Sequence, residues 1–199
     1  MNFRVNEIFY SLQGEGYHTG TPAVFVRFAG CNLQCPFCDT DFTNFTTMSE
    51  QDIILNIKQY PAKMVVLTGG EPTLQITANL CRLIQQQGYY ITIETNGTRS
   101  TIPNNHNDNT PVRLNEAVNW ITCSPKAHST TRLNKADELK IVLTDDTLPM
   151  LDEYRNNIKA THHFLQPCSN SNTGQVINYI KQHPTWRLSL QTHKLIGIQ

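Results

Sequence analysis

Apolar, β-branched runs recur along this chain of 199 residues, and several end abruptly in a short polar motif. Residues 23–28 (Ala-Val-Phe-Val-Arg-Phe) lead into a cysteine-rich loop, and residues 64–67 end at Thr68-Gly69-Gly70-Glu71-Pro72. Residues 90–95 close on Asn96-Gly97, residues 118–123 on Ser124-Pro125-Lys126, and a run near 163–165 on Gln166-Pro167. Helical patterns separate these runs, and strands alternating with helices argue for an α/β fold with a parallel sheet. In parallel barrels and open sheets the carboxyl ends of the strands share one face, where ligands bind. The motifs therefore predict one composite site.

The remaining pattern fills in around that frame. Residues 5–12 read as an opening strand that breaks at Gln13-Gly14-Glu15-Gly16. Ser49 and Asp52 make a capping-box start for a helix to about Gln59, stopped by Pro61. Leu80, Leu83 and Ile84 share one face of a second helix that Gly88 ends. Further elements are a strand over 138–143, a helix near 147–160, a helix over 173–182 and a last strand over 186–190. The Asn-rich run 104–109 reads as an exposed polar loop, functionally inert and the most mobile part of the chain. No repeat of fixed period is visible.

Within the first strand-end motif, Cys31, Cys35 and Cys38 stand at spacings of four and three residues. Thiolates so close in sequence suit one soft metal or an iron-sulfur cluster. Three ligands on a cubane leave one iron open to a small molecule, which implies chemistry rather than simple electron transfer. The competing reading is a zinc site of three cysteines and a histidine, for which His18 is the nearest upstream candidate. Cys81, Cys123 and Cys168 share no ligand spacing and read as isolated packed thiols.

Sixteen basic residues balance sixteen acidic ones, so no electrostatic footprint marks a nucleic-acid or anionic-membrane partner. The length suits a single domain over 1–199, and six cysteines in a chain expected to be cytoplasmic favour metal binding or catalysis over a disulfide framework. No signal-peptide or membrane-span pattern is present in the sequence. At the strand ends, Gly69 and Gly70 let a charged ligand group approach the backbone, Glu94 and Asn96 suit ribose hydroxyls or a cationic group, and Ser124 and Lys126 suit a carboxylate.

The loop Cys31-Asn32-Leu33-Gln34-Cys35-Pro36-Phe37-Cys38, followed by Gly-Gly-Glu-Pro, resembles the radical S-adenosylmethionine enzymes. With Ser11-Leu12-Gln13-Gly14-Glu15-Gly16, Arg27, Cys38-Asp39-Thr40, Glu94-Thr95-Asn96-Gly97, Ser124-Pro125-Lys126 and the tail from Gln191 to Gly197, it resembles the 7-carboxy-7-deazaguanine synthases from about residue 7 to the last residue. That resemblance implies an incomplete TIM-type barrel, a radical S-adenosylmethionine core, and conversion of 6-carboxy-5,6,7,8-tetrahydropterin to 7-carboxy-7-deazaguanine with loss of ammonia, in queuosine-type 7-deazapurine biosynthesis.

The same resemblance implies a 4Fe-4S cluster on Cys31, Cys35 and Cys38. It implies S-adenosylmethionine against Phe37, Cys38, Asp39, Gly70, Glu94, Asn96, Ser124, Pro125, Lys126 and Gln166. Leu12, Gln13, Gly14, Arg27, Thr68, His193 and the α-carboxylate of Gln199 would hold the pterin, and the Thr40 hydroxyl would hold Mg²⁺ together with substrate oxygens and waters. Beyond the cluster and cofactor radical it implies no further catalytic side chain. A reductant protein such as flavodoxin or ferredoxin and a homodimer are implied too. Competing readings are an activase that places a glycyl radical on a partner protein, and a zinc-stabilised binding module without catalysis.

Overall fold

A computed structural model describes residues 2–38 and 44–199. The strands are β1 (Phe3–Leu12), β2 (Pro22–Phe28), β3 (Thr46–Met48), β4 (Met64–Gly69), β5 (Tyr90–Thr95), β6 (Thr101–Asn105), β7 (Asp108–Arg113), β8 (Trp120–Cys123), β9 (Lys135–Leu143), β10 (Lys159–Pro167) and β11 (Arg187–Leu188). The helices are α1 (Glu50–Ile57), α2 (Ala78–Gln86), α3 (Leu114–Ala117), α4 (Leu151–Asn157), α5 (Thr173–Gln182) and α6 (Thr192–Ile196).

Nine strands form one sheet in the order β11-β10-β9-β8-β5-β4-β2-β1-β3. Pairings from β2 through to β11 are parallel, while β1 runs antiparallel to both β2 and β3. Since β3 and β11 are opposite edges, the sheet is an open, incomplete barrel.

Strand alternation decides what faces the helices and what faces the hollow, because successive side chains point to opposite faces. Val24, Val26 and Phe28 of β2, Val65 and Leu67 of β4, Ile91 and Ile93 of β5, and Leu139, Ile141 and Leu143 of β9 are buried in the main core with Ile53 and Ile57 of α1 and Leu80, Cys81 and Ile84 of α2. The alternate positions Arg27, Thr68, Glu94, Lys140 and Val142 line the concave side. The hydrophobic effect thus fixes the register of each strand, and the register aims the polar residues inward.

The capping box of Ser49 and Asp52 is formed, with the Ser49 side chain accepting from the Asp52 amide and the Asp52 carboxylate accepting from the Ser49 amide. Residues 173–182 are helical as the sequence indicates. Three expectations change. The Asn-rich run is not an exposed loop: it forms the turn and flanks of the antiparallel β6–β7 hairpin, where Asn104 donates to Asp108 at 2.6 Å and the Asp108 carboxylate accepts from the Thr110 amide and hydroxyl. Polar side chains that satisfy neighbouring backbone shape this hairpin, so it lacks the apolar alternation that marks a strand. The helix expected to reach residue 160 stops at Asn157, since β10 starts at Lys159 to pair with β9. The last strand shrinks to Arg187–Leu188, and the tail beyond it coils into α6.

Candidate active site

The carboxyl ends of the strands open into a cavity of about 1040 Å³. This is above the range of about 300–1,000 Å³ that holds one small organic ligand, so it has room for more than one. Cys31, Cys35 and Cys38 line one side, with Phe37 beside them. Gly70, Asn96, Ser124, Lys126 and Gln166 line the strand ends, and Leu12, Gln13, Gly14, Arg27, Thr68, His193 and Gln199 line the rest. The structure therefore gathers the sequence-assigned residues into one chamber. Pro125 is buried behind Ser124 and Lys126 and does not face it. Asp39 and Thr40, assigned to the cofactor and to Mg²⁺, lie outside the described residues.

Gly69 and Gly70 are required by the approach of the cysteine-loop root to β4. A methyl group on Gly70 would stand 2.0 Å from the Gly30 carbonyl oxygen, and one on Gly69, at φ +118°, would stand 2.2 Å from that of Phe28. Backbone bonds hold the junction, from the Gly70 amide to the Phe28 carbonyl and from the Glu71 amide to the Gly30 carbonyl, both 3.0 Å. Glu71 itself is fully buried and faces away from any ligand role. Its carboxylate accepts from the Thr73 amide and hydroxyl, the Thr95 hydroxyl and the Asn96 amide, tying the end of β4 to the end of β5.

The thiols fit an iron-sulfur cluster by the chemistry of their surroundings. All three cysteines are free of disulfides. The Cys31 sulfur accepts from the Leu33 amide at 3.4 Å, and Asn96 Nδ2 lies 4.0 Å away. Burial pushes the Cys31 thiol up and the Leu33 amide draws it back; burial likewise raises Cys35, against the pull of the Lys126 ammonium. These are soft donors with polar partners already aimed at sulfur, and they face a large hollow. Among the described residues, no group of three or more His, Cys, Asp or Glu is gathered tightly enough for a single metal ion. His18, the candidate fourth zinc ligand, sits among Trp120 and Tyr90 at the amino ends of the strands, so the expected zinc set is not assembled.

The floor of the chamber carries a group that the sequence reading missed. Lys140 is 3 % exposed, and its ammonium bonds Glu15 at 2.7 Å and Glu94 at 2.9 Å. Burial alone would raise Glu15, but the adjacent Lys140 overrides it and holds the carboxyl at about 2. Burial would lower Lys140, and Glu15, Glu94 and Glu138 around it more than reverse this, leaving it above its usual value. Glu138 sits one inward position below; burial pushes it up to about 7, against the pull of Lys140. Gln13 Nε2 donates to Glu94 at 3.3 Å, its Oε1 accepts from the Glu15 amide at 3.1 Å, and Gln191 donates to Glu15 at 3.0 Å.

The tail completes the wall. The Thr192 amide donates to the Gly14 carbonyl at 2.9 Å, and His193 packs so closely that a methyl on Gly14 would stand 2.1 Å from its Nδ1. Ser11 Oγ donates to an oxygen of the Gln199 α-carboxylate at 2.6 Å. The tail thus runs from the β11 edge to β1 on the far side of the open sheet. On the rim Lys126 Nζ donates to the Ser124 carbonyl at 2.8 Å and hydroxyl at 2.6 Å, and burial lowers its basicity.

An open parallel half-barrel with three closely spaced cysteines at its carboxyl edge is the architecture of a radical S-adenosylmethionine protein, and the model of the Radical SAM superfamily matches residues 25–167. The chain is 47% identical over 196 residues to 7-carboxy-7-deazaguanine synthase of Bacteroides thetaiotaomicron, covering 98% of each. It is 38% identical to that of Haemophilus influenzae, covering all of this chain and 95% of that protein. The crystal structure of QueE from Escherichia coli superposes with a TM-score of 0.80 at 30% identity, over 97% of this chain and 95% of that one. The chain belongs to the radical S-adenosylmethionine superfamily and, within it, to the 7-carboxy-7-deazaguanine synthase family. This membership disfavours the glycyl-radical activase and the zinc module. Among the described residues no helix is long and apolar enough to cross a membrane.

Proposed function

We propose that this chain, as one domain over 1–199, converts 6-carboxy-5,6,7,8-tetrahydropterin to 7-carboxy-7-deazaguanine with loss of ammonia. The observation that carries this reading is the two-sided chamber: soft thiols on one wall, and on the other an arginine, a histidine and a buried carboxylate–lysine floor. Cys31, Cys35 and Cys38 would hold a 4Fe-4S cluster. When bound and reduced, it supplies with S-adenosylmethionine the hydrogen-abstracting chemistry of the superfamily.

The side chains would orient and enclose the reactants. Lys126, braced by Ser124, offers its ammonium to the carboxylate of S-adenosylmethionine, and Gly70, Asn96, Phe37 and Gln166 form the surface against which that molecule lies. Glu94, fixed by Lys140 and Gln13, presents a carboxylate edge to the ribose or to a ring N–H. Arg27 faces the pterin carboxylate, for which a guanidinium fork is suited. Leu12, Gln13, Gly14, Thr68, His193 and the α-carboxylate of Gln199 bound the bicyclic ring. By the family resemblance Asp39 would contact the cofactor and Thr40 would supply one oxygen to Mg²⁺, with substrate oxygens and water as its other ligands. A flavodoxin or ferredoxin as reductant and a homodimeric assembly complete the reading.

The test is anaerobic reconstitution with iron and sulfide, followed by incubation with reductant, S-adenosylmethionine and the carboxylated pterin, with and without Mg²⁺. The deazapurine carboxylate is the expected product, with turnover stimulated by Mg²⁺. A loaded cluster that cleaves S-adenosylmethionine without forming that product overturns the assignment.

A further inference from the structure

Glu7 belongs to none of the roles above, yet the strand that carries it is bent to bring it to the chamber. Phe3 and Val5 of β1 are buried in the main core, and strict alternation would send residues 7 and 9 to that same side. The register with β2 slips between Val5 and Glu7, Val5 facing Phe28 and Glu7 facing Arg27. One extra residue on a strand reverses the facing of everything beyond it. Ile8 accordingly packs against the core, and Glu7 and Phe9 line the chamber.

Once turned inward, Glu7 uses both carboxylate oxygens. Oε1 lies 2.7 Å from Arg27 Nε, and Oε2 accepts from Gln199 Nε2 at 2.7 Å. Phe9 completes the seat of the arginine, with the guanidinium carbon 5.6 Å from its ring centroid and the ring stacked on Phe25 at 4.9 Å. Binding through Nε takes the side of the guanidinium and leaves its terminal fork for another anion; a carboxylate can be held there by paired, parallel hydrogen bonds. The Gln199 side chain, which the sequence reading left without a role, is the second thing Glu7 holds.

We propose that Glu7 is a positioning residue that couples the tail to the substrate carboxylate: one oxygen orients Arg27 while the other fixes Gln199 over the same site. This deepens the proposed function and rests on it. The Glu7–Arg27 pair carries no net charge, so a carboxylate ligand is held through the geometry of the oriented fork, and binding of the carboxylated pterin tightens the arrangement that seats the tail. A ligand lacking that carboxylate gains little from either group.

The test compares wild type, Glu7→Ala, Glu7→Gln and Gln199→Ala as reconstituted holoenzymes. Losing hydrogen bonds to a charged group in a partly enclosed site raises KM for the pterin about tenfold to a hundredfold in Glu7→Ala, with kcat within about twofold. KM for S-adenosylmethionine is expected to stay unchanged. Gln199→Ala shows a smaller rise, and the double variant Glu7→Ala/Gln199→Ala is no worse than Glu7→Ala alone, because both remove one linkage. Glu7→Gln, which can still accept from one donor, lies between. By hydrogen exchange, substrate protects residues 192–199 in wild type and not in Glu7→Ala. If wild type makes product while Glu7→Ala keeps its pterin KM, or keeps its tail protection, the positioning role is overturned. If wild type makes no product, the functional reading itself has failed, and the two failures are distinct.

Discussion

The floor and the rim of the chamber follow opposite electrostatic plans. On the floor, charges meet their partners inside the protein: Lys140 lies between Glu15 and Glu94, and Gln13 and Gln191 engage the carboxylates from the sides. On the rim, the charged group is Lys126, steadied by the uncharged oxygens of Ser124, and the nearby sulfurs of Cys31 and Cys35 belong to thiols whose ionisation burial opposes. One end is finished by folding; the other is finished by what binds. On the proposed function, the carboxylate of S-adenosylmethionine and the cluster would complete the rim, while the floor would offer both reactants a surface already set by folding.

The largest effect tests the rim. Cys35→Ala is expected to abolish iron and sulfide uptake on anaerobic reconstitution, and all turnover with it, while the urea midpoint of the cluster-free protein stays where it was. A loss of stability there would erase the contrast between the two ends.

Lys140→Met tests the floor. It strands Glu15 and Glu94 as buried carboxylates without their cation, and removing one partner of a buried pair costs about 3–5 kcal/mol. Urea unfolding of the cluster-free protein at neutral pH should show a loss of that order. A change as small as those at exposed sites would mean that the floor is not held together by its charges.

A pH series sharpens the same point through Glu138. Its folded value, about 7, lies above that of an unfolded glutamate, so the proton it binds adds stability that is complete below pH 4.5 and disappears as pH rises through 7. Glu138→Gln therefore stabilises the protein relative to wild type at pH 8, by about 1–3 kcal/mol, and gives no such gain at pH 5. Glu15 has the opposite sign: its lowered value adds stability above pH 4.5 that is lost as pH falls toward 2. Denaturation midpoints across pH 3–9 separate the two, and a Glu138→Gln gain that ignores pH would show that packing, not charge, sets its effect.

The smallest expected change is the stability of Lys126→Met, within about 1 kcal/mol of wild type. Its affinity for S-adenosylmethionine, measured by equilibrium dialysis on reconstituted protein, should fall about tenfold through loss of a charge-assisted contact. Unchanged affinity would remove Lys126 from the cofactor surface.

Much of this was legible in the sequence because the same alternation that builds the core also exposes the site. The run from Val24 to Phe28 announces a strand, and the motif after it announces where the strand's carboxyl end must be. Lys140 escaped notice because Glu138-Leu139-Lys140-Ile141 reads as ordinary strand filler; the signal was there in the alternation of charged 138 and 140 with apolar 139, 141 and 143. The role of Glu7 was hidden by the slip in β1, which no side-chain pattern advertises. The β6–β7 hairpin was missed because asparagine and aspartate side chains, rather than buried apolar ones, satisfy its turn.

The gap between β11 and β1 has one more consequence. Elsewhere around the hollow, neighbouring strands are laced by continuous backbone ladders, whereas across this gap the chain is fastened by separate bonds from residues 191, 192 and 199 to residues 15, 14, 11 and 7. Such bonds contribute about 1 kcal/mol each between neutral groups and about 1.5–3 kcal/mol where one partner is a carboxylate, as at Glu15 and Glu7, so the strength of the seam rests on a few side chains and not on a ladder. Along this edge, among the described residues, the hollow is walled by individual side chains and the chain end rather than by a strand, so its closure depends on the identity of a few residues near the two ends of the sequence.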